Sequence, residues 1–188
     1  MKRILLTLLF FITTSTSVNA DVDYAKIYAD MENPTFSYIH GIDPDQYYDT
    51  KNYAWSPYPL FRLNQEVYFK KQVIQPGYYL LTPRENEGKW YVLFKDNGIV
   101  KATIPCYKEE VVPAGFYKLN LPKEKLTPSA RVHLAFINFV GHFNSSRRKQ
   151  SPNTYLEVED VDNDFISMTI YYGQKRYYIL LRSKMLQN

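Results

Sequence analysis

Two hydrophobic periods alternate along this chain, and their order predicts its architecture. Between residues 61 and 121 short apolar-rich runs of strand length dominate, at 66–74, 77–82, 89–95, 99–104 and 114–119. Asn97-Gly98 separates two of them, and this dipeptide predicts a hairpin because both central residues of a type I′ turn need positive φ. From Thr127 the period changes. Val132, Phe136, Phe139, Val140 and Phe143 fall on one helical face, opposite Arg131, Asn138 and His142. Thr127 can cap such a helix, and Pro128 suits its first turn. The two-residue period returns at Ile166, Met168, Ile170 and Tyr172, and Gly173-Gln174 then predicts a II′ turn into a last strand, 175–182. The expected fold is mainly β (β-rich α+β). It is an antiparallel sandwich or small barrel over residues 61–184, with one amphipathic helix inserted at about 128–143.

Residues 21–60 read differently. Ala25, Ile27, Tyr28 and Met31 fit one side of a short helix that Pro34 would stop. The following stretch, with Gly41, Pro44, Pro57 and Pro59, has no period and predicts an irregular, aromatic and proline-rich arm with one short strand near 36–39. Before it, Lys2 and Arg3 precede an apolar run over 4–12 and a polar stretch ending Val18-Asn19-Ala20. A run this short does not span a bilayer, and small residues at 18 and 20 suit a signal peptidase. Residues 1–20 are therefore expected to be a cleaved signal peptide, with a periplasmic or extracellular product beginning at Asp21.

Two segments align without gaps, FKKQVIQPGYYLL from Phe69 and YKEEVVPAGFYKL from Tyr107. Lys70/Lys108, Val73/Val111, Gly77/Gly115, Tyr79/Tyr117 and Leu81/Leu119 are identical pairs. The repeat predicts two related hairpins, each turning at its glycine.

Composition adjusts this picture in three ways. The formal charge of the 188-residue chain is +4, but Lys2 and Arg3 leave with the signal, so the exported part is close to neutral. That excludes the basic footprint of a nucleic-acid binder. The 18 Tyr and 11 Phe favour half-buried pleated surfaces, in keeping with strands. Cys106 is the only cysteine, so no internal disulfide forms, and a buried thiol is expected.

Candidate chemistry is sparse. There is no G-x-S-x-G elbow, and His40, His133 and His142 make no H-E-x-x-H pair. A Cys106–histidine pair has no local support. Asp160, Asp162 and Asp164 alternate like the start of a calcium loop, but Phe165 and Tyr171 stand where glycine and glutamate are needed. A solvated turn is expected there, with a looser calcium site as the weaker reading; Asp43, Asp45 and Asp49 make a similar case. No cofactor is predicted. Tyr47, Tyr48, Tyr53, Trp55 and Tyr58 in the arm could stack on a glycan or peptide, or could pack over the sheet as a lid. The helix is expected to lay its Phe face on the sheet. Its neighbours Arg147, Arg148 and Lys149 also admit peripheral contact with a membrane. Together these features predict a non-catalytic exported module that binds a protein or glycan of the cell envelope. A small hydrolase with an unfamiliar site and a membrane-surface protein docked by the helix are the alternatives.

Overall fold

The computed structural model describes residues 22–53, 56–122, 127–142, 151–161 and 164–184. The expected signal peptide and Trp55 lie outside these residues. The described helices are α1 (Tyr24–Asp30), α2 (Gln46–Asn52), α3 (Phe116–Asn120) and α4 (Pro128–His142). Strands β1 (Leu60–Leu63), β4 (Gly77–Asn86), β5 (Lys89–Asp96) and β6 (Ile99–Pro105) form one antiparallel sheet in the order β1-β4-β5-β6. The second sheet uses β2 (Val67–Phe69), β3 (Gln72–Ile74), β8 (Thr154–Val161), β9 (Phe165–Tyr172) and β10 (Lys175–Arg182) in the order β3-β2-β10-β9-β8. A further strand, β7 (Lys108–Val111), pairs with the first half of β10.

The two sheets pack as a β-sandwich. Alternate residues of β4 and β5, such as Leu81, Val92 and Phe94, meet Met168, Ile170, Ile179 and Leu181 of β9 and β10 in one buried core. Turn chemistry sets the register. Asn97 and Gly98 have φ of 49° and 80°, as the hairpin between β5 and β6 requires. The β9–β10 register closes tightly around Gly173, whose φ is 60°.

Both outer faces of the sandwich are occupied. On the β4–β5 sheet, Thr82, Tyr91, Leu93 and Lys95 point away from the core yet are buried. The arm supplies their cover: Phe36 meets the Tyr91 ring edge-on at 4.9 Å, and Ile42 bridges to Ile99. On the other sheet α1 docks through Tyr28, whose ring contacts Phe69 and Phe165. Its hydroxyl oxygen accepts the Lys70 N–H at 2.6 Å. Farther along that face, Phe116 of α3 stacks parallel on Tyr171 at 4.2 Å.

Several sequence expectations are corrected. The 66–74 run is two short strands, split by a turn in which Lys70 has φ of 52°. Residues 114–119 are not a strand. Gly115 (φ 82°) starts α3 there, and the contacts of Phe116 with Tyr171 and Tyr155 outweigh its strand propensity. The repeat therefore does not give two equivalent hairpins, since Gly77 simply begins β4 with no positive φ. The short strand expected near 36–39 is replaced by a 3-10 turn at Ile39–Gly41, and α2 follows it. The acidic run over 157–161 belongs to β8, which pairs with β9 along its whole length.

The largest correction concerns α4. Its span matches the predicted helix, but three side chains of its expected apolar face stand open to solvent: Val132 is 71% exposed, Phe136 63% and Phe139 65%. Among the described residues no helix is long and apolar enough to cross a membrane.

Candidate functional site

The chain crosses between the two sheets through Pro105, Cys106 and Tyr107, and that crossing is held at both ends. The Cys106 N–H donates to the Trp90 carbonyl at 2.8 Å, and the Tyr107 N–H donates to the Tyr178 carbonyl at 3.0 Å. Facing it stands α1, started by Asp23, whose carboxylate accepts the Lys26 N–H at 2.9 Å. Between α1, the turn joining β4 to β5 and this crossing lies a cleft of about 1000 Å³.

Four tyrosines line the cleft: Tyr24 from α1, Tyr91 from β5, Tyr107 from the crossing and Tyr178 from β10. Tyr107 and Tyr178 lie with ring centroids 6.0 Å apart. Tyr178 is further fixed by donating its hydroxyl proton to Glu110 at 2.7 Å. Lys108 and that same hydroxyl hold the Glu110 carboxyl down at about 2, so it stays ionised. Ile27 and Met31 add apolar wall, while Asn33 and Asn86 contribute amides. Asp30, Glu32 and Glu87 stand exposed at the mouth together with Lys89 and Lys108; Lys89 lies 3.4 Å from Glu32, and Lys108 pairs with Glu110 at 2.7 Å. The mouth thus mixes both signs of charge around aromatic walls.

Cys106 also lines the cleft, but it is poorly suited to nucleophilic chemistry. Burial, assisted by the Glu109 charge, pushes its thiol pKa up, so the sulfur keeps its proton. Among the described residues no histidine lines the cleft. His133 is exposed on α4, and His40 sits in the 3-10 turn of the arm.

The aspartates of the arm serve a different purpose. Asp43 is 2% exposed and lies on the underside of the arm, against Lys95 of β5, itself 3% exposed, at 2.9 Å. Arg84 reaches the same carboxylate at 2.9 Å and also pairs with Asp49. Tyr58 donates to Asp49 at 2.8 Å and accepts from Arg84. Burial alone would raise the Asp43 pKa, but hydrogen bonds from Lys95 and Arg84, and then their charges, hold it below its ordinary value. The calcium reading of Asp43, Asp45 and Asp49 is thereby displaced, because the cations at Asp43 and Asp49 are the protein's own Arg84 and Lys95.

The remaining candidates are dispersed. Tyr47 and Tyr48 stand exposed on α2 with their rings edge-to-face at 5.6 Å, and Lys51 lies 6.0 Å over Tyr47. Tyr53 is half-buried at the end of α2, whereas Tyr58 is buried in the ion network. Asp160 is exposed on β8, Asp162 lies outside the described residues, and Asp164 pairs with Lys184 at 2.9 Å. No group of three metal-binding side chains occurs among the described residues. The cleft tyrosines carried no local signal beyond tyrosine abundance, since pairing and α1 docking alone bring positions 24, 91, 107 and 178 together. Comparison with family models, with curated proteins and with solved structures gives no match.

Proposed function

We propose that the chain is an exported, non-catalytic binding module whose ligand seat is the cleft beside the Cys106 crossing, and that a neutral glycan chain is its ligand. The observation that carries this reading is the lining: four tyrosine rings, two amides and a set of opposed charges around about 1000 Å³. Ligand sites of that size combine apolar walls with a few placed polar groups. Sugar rings offer apolar faces for tyrosine and hydroxyl edges for amides and carboxylates. The opposed charges at the mouth favour a neutral ligand over a strongly charged one. Export rests on the signal-like pattern of residues 1–20.

The test is calorimetric titration of the chain from Asp21 with soluble cell-wall oligosaccharides. Binding is expected, and Tyr24→Ala and Asn86→Ala each weaken it about tenfold, the size of one lost contact of ~1.4 kcal/mol. Absence of binding to every saccharide overturns the reading. Binding that instead falls with Tyr47→Ala and Tyr48→Ala moves the seat to the exposed rings of α2.

A further inference from the structure

We infer that α4 is a docking helix for an anionic lipid surface, which it enters with the face carrying Val132, Phe136 and Phe139. Three observations converge on this. First, those side chains are 71%, 63% and 65% exposed, and Leu119 in the same insertion between β7 and β8 is 86% exposed. Second, α4 holds a single formal charge, Arg131, within PSARVHLAFINFVGH. Helices of this length are marginal in water alone, and an apolar stripe of this kind is stabilised by a surface that covers it. Third, charge is segregated along the chain. Residues 112–153 hold seven basic side chains against Glu124 alone, whereas residues 21–111 and 154–188 together hold fourteen basic and eighteen acidic ones. The insertion is therefore strongly cationic, the strands of the sandwich are close to neutral, and the acidic surplus lies in residues 21–59, which hold seven acidic side chains against Lys26 and Lys51.

This separation selects the occupant. A bilayer rich in anionic headgroups attracts the insertion far more strongly than the near-neutral sandwich or the acidic N-terminal segment, so contact is made through the insertion. The phenylalanines then sink into the boundary between headgroups and acyl chains, while Arg131 remains at headgroup level. A neutral apolar surface would use only the aromatic face and leave the charge separation without a counterpart. The cleft takes no part in this contact, so lipid docking stands or falls independently of glycan binding.

The experiment is flotation of the chain from Asp21 with vesicles of equal parts phosphatidylglycerol and phosphatidylcholine, against phosphatidylcholine alone. Protein is expected to float with the anionic vesicles. The bound fraction should drop several-fold at about 0.5 M salt, where the screening length is shorter than ~8 Å. Phe136→Ser with Phe139→Ser lowers partitioning about tenfold at an unchanged thermal transition. Lys118→Glu with Arg131→Glu removes the preference for anionic vesicles. A second reading does not depend on those variants folding: Ala135→Cys in a Cys106→Ser background, labelled with an environment-sensitive dye, shifts to the blue on anionic vesicles only. Equal flotation on both vesicle types, no flotation, or no dye shift overturns the inference. So does sedimentation showing a dimer that the phenylalanine pair dissociates, because a second copy of the chain would then cover the helix.

Discussion

The arm over residues 36–58 and the insertion carrying α4 reverse the roles that their sequences suggest. The arm is proline-rich, aperiodic and acidic, yet it lies against the β4–β5 sheet and buries Asp43 against Arg84 and Lys95. The α4 segment has the apolar stripe of a core helix, yet Val132, Phe136 and Phe139 of that stripe are exposed. Complementarity explains the difference. The outer face of the β4–β5 sheet offers two cations among apolar residues, and only an element supplying carboxylates can cover it without leaving a buried charge unpaired. The described part of the α4 stripe finds no such complementary cover, with Val132, Phe136 and Phe139 each well over half exposed. An amphipathic pattern thus states that a helix needs an apolar partner, without stating that the partner belongs to the same chain.

The sharpest way to break this comparison is Asp43→Ala, which strands Arg84 and Lys95 under the arm. It is expected to cost about 3–5 kcal/mol of folding stability, read by urea denaturation. A loss below ~1 kcal/mol would mean that the arm is not clamped by these charges. Next in size is Gly41→Ala. A Cβ there would sit 2.6 Å from the Ile99 side chain, at a φ of 71°. The expected cost is about 2–3 kcal/mol, against about 1 kcal/mol for Gly115→Ala, where φ is 82° but the space is open.

Acid should act on the arm before the sandwich core. The Asp43 carboxyl titrates below its ordinary 3.8 in the folded protein. Its contribution to stability is therefore complete above that value and is lost as the pH falls from 3.8 through the lower folded pKa. Denaturation midpoints measured across that window should fall in the parent protein, and part of the fall should vanish in Asp43→Asn. The smallest expected effect lies on α4. Phe136→Ser and Phe139→Ser should each change stability by no more than about 0.5 kcal/mol in thermal melts, as exposed positions do. A loss of ~3 kcal/mol, the size expected for a packed core phenylalanine, would show that the face is covered within the chain.

Local signals were legible in the sequence, and long-range ones were not. The Asn97-Gly98 turn, the 128–142 helix and the alternation through β9 each depend on neighbours within a few residues. Glu157, Glu159 and Asp160 give β8 the local pattern of a solvated loop, although such charges suit a strand at a sheet edge. α3 carries the strand propensity of Phe116 and Tyr117 in its sequence, while its position is set by stacking on Tyr171. The ion network joins Asp43 to partners 41 and 52 residues away, and no periodicity reports such a meeting. The cleft was hidden for the same reason. Its tyrosines come from four elements, and none stands out from the other tyrosines of the chain.

Hydrogen exchange of the chain from Asp21, with and without phosphatidylglycerol vesicles, tests the contrast between arm and insertion most directly. Amides of α2 and the 3-10 turn should exchange slowly in both conditions. Those of α4 should exchange rapidly in solution and become protected only when vesicles are present. Protection of α4 in solution equal to that of α2, unchanged by vesicles, would contradict the account.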